Sequence, residues 1–480
     1  ELTRTYEQLH PNVRVVQMRI PEKVFPQWAM TQLIGGTAPD IIELGYNLET
    51  VVQARYFEPI SRFVNGPNPY NAGTELEGIP WRSTFVDGLA SGYSDKLADY
   101  FGIPCFFATI RVYYNRDLMR TITGSDEPPR SFDEFVDLCE QTARYASEHG
   151  VGVVPIAGSR DTAPYLLDQV FEGVTQKLAH ACNVLPSLYP SQDSFFMAYL
   201  AGDWTLEEPS VRAGLELMRD LGRHMSPGFL QLRREDAIFY FSQGKALMVT
   251  AGSWEATGLR AQCDFPMGVF RVPLPAVDHP RFGQYTLGAP AEVSGRAVTG
   301  PFGISKGSQN PEVALDFLRF ISSQRAHQAF VDRSGWLPVV VGVKTPPEMR
   351  EFEPDLNGAL AGVSLRWGTE IKRVTENNWH ILFAENGGVD AFIAAAGPDL
   401  VEGVKADLRR RDRRSFLELG IADPGLEANR QIVRRRGDAI DQLKYESMLQ
   451  AQNWRETYYL QMHFRLGQLD AATDADQSRP

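Results

Sequence analysis

Phe239-Tyr240-Phe241-Ser242-Gln243-Gly244-Lys245-Ala246-Leu247-Met248-Val249-Thr250 reads as the end of a helix, a glycine turn and a strand, with Gly252-Ser253-Trp254 at the strand's end. The same alternation extends outward from it. Upstream, Leu2 to Leu9 has a helical period and Val13 to Met18 a strand period. Phe25 to Ile34 is a helix stopped by Gly35-Gly36, and Asp40 to Leu44 is a short apolar strand ending near Tyr46-Asn47. Phe106 to Tyr114 reads as one long strand. Ser131 with Glu134 three residues on opens a helix that runs to about His149. Residues 158–205 are aromatic and lack strand signals, so they read as a helical insertion, and the helical period returns over Val211 to His224. Downstream, Val272 to Pro280 is a Pro-rich linker, Val298 to Ile304 a strand, and Asn310-Pro311 starts a helix through Ile321. Helix and strand alternating in this way specify an α/β architecture.

Composition narrows the class. The 480 residues carry a net charge of −12 with 43% hydrophobic residues, a globular composition with room for two or three domains. The acidic balance argues against a nucleic-acid partner, which needs clustered Lys and Arg. No apolar run approaches the roughly 18 residues that span a bilayer. Cys105, Cys139, Cys182 and Cys263 are too widely spaced for a zinc site or a disulfide scaffold. The chain opens on Glu1 without Met, basic segment or apolar signal segment, as expected of a processed or trimmed start.

Catalytic and cofactor patterns are absent: no His-Glu-x-x-His, no phosphate-cradling Gly-x4-Gly-Lys-Ser/Thr and no Gly-x-Gly-x-x-Gly, so no cofactor and no metal are expected. Gly303-Ile304-Ser305-Lys306-Gly307 matches the Gly-x-Ser-x-Gly string of hydrolase elbows, but its helix signal begins at Asn310-Pro311, five residues too late for Ser305 to serve as a nucleophile.

Four stretches, in this order, carry a resemblance: Pro39-Asp40-Ile41-Ile42-Glu43; Gly102-Ile103-Pro104 with Tyr114-Asn115-Arg116-Asp117-Leu118; Phe241 to Met248 with Gly252-Ser253-Trp254; and Gly303-Ile304-Ser305 with its helix and Gly335-Trp336-Leu337-Pro338. Over about residues 1 to 345 the chain resembles the extracellular solute-binding proteins of ABC sugar importers, the family that includes maltose-binding protein. The resemblance implies a two-lobed, type II periplasmic-binding-protein-like α/β fold with a cleft between the lobes. Residues 1–108 and 298–325 would form the first lobe, and 109–272 and 326–404 the second. The first crossing would fall near Ala108 to Val112 and the second over 273–297. The family's usual leading strand is missing before Glu1, and residues 405–480, a helical C-terminal extension, have no counterpart in it.

The implied function is an extracytoplasmic, monomeric carbohydrate receptor that delivers a sugar to ABC importer membrane subunits. A sensor subunit for a signalling kinase and a carbohydrate-active enzyme are the alternatives. A sugar shows C–H groups on its faces and hydroxyls at its rim, so a site needs flat aromatics and planar polar groups. Trp254 stands where the family stacks an aromatic on a pyranose; its other reading is a core tryptophan. Ser253 adjoins it, and Trp336 is a second candidate face. Glu43, Tyr46 and Asn47 are candidates because ligands bind at strand ends of open α/β sheets. Phe107 and Thr109 flank Ala108, which stands where maltose-binding protein carries a carboxylate. Asp87 and Trp81 are rim or packing candidates. Arg111 is a clamp for an acidic sugar or else a surface arginine.

The segment 405–436 holds ten Lys/Arg against five Asp/Glu and reads as a solvated helix face. Trp454, Tyr458, Met462 and Leu466 recur every four residues, a helix stripe expected to pack on the second lobe. The last dozen residues read as a frayed tail.

Overall fold

The computed structural model describes residues 1–21, 24–44, 50–94, 97–185, 191–291, 298–354 and 359–477. Among the described residues the strands are β1 (Ile41–Glu43), β2 (Tyr93–Ser94), β3 (Asp99–Tyr100), β4 (Ile103–Phe107), β5 (Ile110–Asn115), β6 (Val154–Ala157), β7 (Ala246–Gly252), β8 (Met267–Phe270) and β9 (Val298–Ile304). The chain divides into two compact units. One comprises Glu1–Ala108, Ala297–Pro354 and Leu417–Arg455, and the other Thr109–Arg296, Asp355–Phe416 and Glu456–Pro480.

In the first unit β9 lies between β1 and β4, antiparallel to both, with Ile42 opposite Gly303 and Ile103 opposite Phe302. The helix Phe25–Gly35 stops where Gly36 turns left-handed at φ 67°, its N–H returning to the Gln32 and Leu33 carbonyls. Ala29 and Leu33 from that helix pack with Ile42, Leu44, Phe57 and Phe101. The segment Val13 to Met18, expected as a strand, is irregular. Its alternation is present, Val13 and Val15 packing against the Tyr6, Phe320 and Ala326 cluster while Val16 and Met18 are exposed. Among the described residues no strand lies beside it, however, and the Val15 N–H donates to Glu7 Oε1 (2.8 Å) instead of to a ladder. Residues 326–354, expected in the second lobe, also belong here. Ala326 on the helix Gln324–Ser334 enters that same cluster, and Leu337 and Val340 bridge Phe107 and Phe85.

In the second unit the sheet order is β6-β7-β5-β8, with β6 parallel to β7 and the other pairs antiparallel. Every residue of β5 and β7 is buried, Arg111 and Asn115 of β5 included. The helices Phe132–His149, Ala163–Gly173, Pro209–Gly222 and Glu370–Phe383 contribute Phe135, Leu166, Leu215 and Ile371 to one large core. Ser131 caps the first of these, its Oγ accepting from Glu134 N–H (3.2 Å), while the Glu134 carboxylate accepts from Arg130 N–H (2.6 Å) one residue outside the box that the sequence suggested. The expected single strand from Phe106 to Tyr114 is two strands, β4 and β5. β4 pairs with β9 in the first unit and β5 with β7 and β8 in the second, so one uninterrupted ladder could not serve both sheets.

The C-terminal region is two long helices, Val389–Arg436 and Ala439–Gln477. It therefore begins before residue 405 and is helical through Gln477, the last three residues of the expected frayed tail lying outside the described residues. The expectation that the stripe from Trp454 to Leu466 packs on the second lobe is corrected in part, since Leu417–Arg455, with Trp454 in it, belongs to the first unit. There Lys444 forms an ion pair with the buried Asp99. In the second unit Met462 and Leu466 enter the core, Tyr458 donates to Asp193 Oδ2 (2.9 Å), and Asp407 accepts the N–H groups of Thr369, Glu370 and Ile371. Of the aromatic stripe, Trp454 alone faces solvent, at 52% exposure.

Candidate functional site

In the second unit, β5 and β7 run antiparallel with Ile110 opposite Gly252, so the start of one strand lies beside the end of the other. At that point β7 gives way to a short 3-10 turn, Ser253–Glu255, and then the helix Ala256–Gln262. Ser253 N–H donates to the Thr109 carbonyl (2.8 Å) and Thr109 N–H donates to Ser253 Oγ (3.2 Å), a reciprocal pair between two buried residues. Tyr113, buried one turn of the pleat away, donates its hydroxyl to the Gly252 carbonyl (2.7 Å). Burial, reinforced by the negative charge of Glu255, pushes that hydroxyl well above its ordinary pKa, so it stays protonated and able to donate. Glu255 in turn pairs with Arg234.

Trp254 projects from this stapled turn and is half-buried. Its six-membered ring lies against Gly252: a Cβ built there would stand 2.3 Å from Cη2 and Cζ2. One apolar surface of the indole is thus committed to the backbone, and the side chain retains part of its area toward solvent. Arg111 is 0% exposed, with Nη1 donating to the Ile110 carbonyl (2.7 Å). The reading of it as a surface arginine is overturned, because its side chain is fully buried.

In the first unit the candidates are dispersed. Glu43 ends β1 opposite Phe302 and is half-buried. Burial, and secondarily the Glu43 charge, pushes the Cys105 thiol up to about 12. Phe107 is buried, its N–H donating to the Leu337 carbonyl (3.0 Å). The adjoining Phe106 meets Trp336 at 4.2 Å between ring centroids, and Phe330 meets the same indole edge-on at 5.8 Å. Trp336 is therefore a packed, half-buried member of an aromatic trio. Trp81 takes the packing alternative and not the rim: it is 0% exposed, its indole N–H donates to Ser322 Oγ (3.0 Å), and the Arg319 guanidinium lies 5.5 Å from its ring. Asp87 spends both carboxylate oxygens on the N–H groups of Leu89 and Ser91 (2.9 Å each), which fixes the turn where Leu89 takes a φ of 67°. Tyr46 and Asn47 lie outside the described residues. Ser305 is buried in a turn, its Oγ accepting from Gly307 N–H (3.2 Å), and the following helix begins at Pro311.

The structure thus brings Trp254, Ser253, Thr109 and Arg111 together at one strand junction and sets Phe107 beside the Trp336 trio. Sequence reasoning missed Gly252 and Tyr113. The signal for the first was present in the glycine two residues before an aromatic at a strand end. None was present for Tyr113, which reads as one more apolar strand residue. Among the described residues no group of three or more His, Cys, Asp or Glu could hold a metal ion, and no helix is long and apolar enough to cross a membrane.

Comparison with known proteins adds the following. A family model described as bacterial extracellular solute-binding protein matches residues 1–353. Over 352 residues the chain is 22% identical to the multiple sugar-binding protein of Streptococcus mutans, the match spanning 72% of each chain. Among solved structures, a chitin oligosaccharide binding protein superposes with a TM-score of 0.56 at 17% identity, covering 84% of this chain and 94% of that one. Maltose-bound T. maritima MalE3 gives 0.56 at 19% identity, with coverage of 84% and 94%. The solute-binding protein RafE in complex with raffinose gives 0.55 at 20% identity, with coverage of 83% and 95%.

Proposed function

The chain belongs to the bacterial extracellular solute-binding proteins and has their type II periplasmic-binding-protein-like α/β fold, and from that premise we propose that it is an extracytoplasmic carbohydrate receptor which hands a sugar or oligosaccharide to an ABC importer. The observation that carries the reading is Trp254, a half-buried indole held at the end of β7 with one surface on Gly252 and part of its area open. A pyranose offers a flat C–H face that a positioned indole can cover, while its hydroxyls take polar groups at the rim. The multiple sugar-binding relative and the neighbours with bound maltose and raffinose support the same ligand class. The function is capture without turnover. The matched family is one of solute-binding proteins, and the helix after the hydrolase-like Ser305 begins only at Pro311, so Ser305 does not stand at a nucleophile elbow.

The test is a melting-curve screen with maltose, raffinose and chitin oligosaccharides, followed by calorimetric titration of the sugars that respond. A ligand that binds only the folded chain, at a hundred times its Kd, stabilises it by about 2.7 kcal/mol. Trp254→Ala should weaken the titrated affinity about thirty-fold, roughly 2 kcal/mol, by analogy with other buried aromatic anchors. Bound sugar should be recovered intact. A folded Trp254→Ala protein with unchanged Kd, or shortened products from an oligosaccharide, refutes the reading.

A further inference from the structure

We infer that Gly252 and Tyr113 are positioning residues for the Trp254 face: Gly252 by leaving the space its indole occupies, Tyr113 by pinning the carbonyl beneath it. The inference rests on the reading of Trp254 as the ligand-contacting surface and adds to it the groups that set its angle.

Gly252 has φ −78° and ψ 157°, extended backbone that any residue adopts, so glycine is not required there for its conformational freedom. It is required for space. A Cβ at this position would stand 2.3 Å from Cη2 and Cζ2 and 2.4 Å from Cε2 of Trp254, against the roughly 3.5–4.0 Å of an ordinary carbon contact. Either the backbone or the indole must then move. The backbone is held on both sides, by Tyr113 Oη on the Gly252 carbonyl and by the reciprocal bonds between Thr109 and Ser253. The indole is therefore the part that yields, and its exposed surface tilts away from the plane a flat ligand face would meet. Ser253 and Thr109, offered by the sequence as ligand contacts, become parts of this staple instead. Gly258 provides an internal control: it sits in the adjoining helix Ala256–Gln262, exposed, with nothing within 4 Å of a built Cβ.

The experiment uses the full chain with 15N-labelled indoles, the Trp254 Nε1–H signal among the eight tryptophans being assigned by its loss in Trp254→Phe. Gly252→Ala should move or broaden that signal while the other seven stay in place. With maltose and raffinose as probes it should raise Kd at least ten-fold without a matching fall in melting temperature. Tyr113→Phe should shift the same signal and raise Kd several-fold, and Gly258→Ala should do neither. An unmoved Trp254 signal in folded Gly252→Ala overturns the inference. So does wild-type affinity in that variant when Trp254→Ala has lost binding. If Gly252→Ala does not fold, an unmoved signal in Tyr113→Phe overturns it. If none of maltose, raffinose and the chitin oligosaccharides binds, or Trp254→Ala binds normally, the proposed function fails, while the indole signal still decides the positioning role separately.

Discussion

Asp407 sits in the C-terminal region beyond the residues matched by the family model, yet it caps a helix of the second unit. Its carboxylate accepts from the N–H groups of Thr369 (3.1 Å), Glu370 (2.9 Å) and Ile371 (2.9 Å), the open first turn of the helix Glu370–Phe383. Asp407→Ala removes all three acceptor contacts. Loss of a helix cap costs about 1 kcal/mol. The N–H of the buried Ile371 is in addition left without a partner, which costs about 1–3 kcal/mol more. The total, roughly 2–4 kcal/mol, should lower the melting temperature of the second unit by about 4–16 °C at the roughly 2–4 °C per kcal/mol of large domains. Asp407→Asn keeps one acceptor oxygen and should lose about half as much. Circular dichroism melts and urea titrations of both variants read the effect, with sugar affinity of the folded fraction measured alongside. A melting temperature within a degree of wild type for Asp407→Ala would show that the region beyond residue 404 rests on the unit without supporting it. Truncation at residue 404 is the harsher perturbation. It deletes Asp407, Leu408, Met462 and Leu466 from the second unit's core and Lys444 from its pair with Asp99, so the truncated chain should fail to fold stably.

Two further outcomes are expected. Trp336→Ala, which empties the slot between Phe106 and Phe330, should cost about 2–3 kcal/mol of stability while changing sugar affinity far less than Trp254→Ala does, as melting and calorimetry on the two variants will show. His327 accepts the Val339 N–H on Nε2 (3.1 Å), and burial lowers its pKa from 6.5 to about 4, so protonation would set two donors against each other. Between pH 6.5 and 4 the unfolded chain takes up this proton and the folded chain does not. Its contribution of up to about 3 kcal/mol is therefore complete above pH 6.5 and lost as pH falls toward 4. Stability against pH for His327→Gln, whose amide oxygen can still accept from Val339, should lack that slope, and an unchanged slope removes His327 as its source.

How far the sequence could be read depended on whether a residue's neighbours lay close to it in the chain. Local order sufficed for the helix–glycine–strand stretch ending at Gly252-Ser253-Trp254, for the Gly36 stop and for the Ser131 cap, because periodicity, a left-handed φ and a capping hydroxyl are all settled within a few residues. Local order failed at Val13 to Met18, whose alternation was genuine but had no strand beside it among the described residues, and at Phe106 to Tyr114, where one apolar run serves two sheets. Only the tertiary structure decided which polar and aromatic residues are already in use. Trp81 is tied to Ser322, 241 positions away, Ser253 to Thr109, 144 away, and Tyr113 to Gly252, 139 away. A hydrogen bond or a ring contact takes up a side chain by proximity in space. The sequence could therefore name Trp254 as an indole at a strand end, but only the fold could show which groups meet there: Gly252 under the six-membered ring, Tyr113 on the Gly252 carbonyl and Thr109 on Ser253.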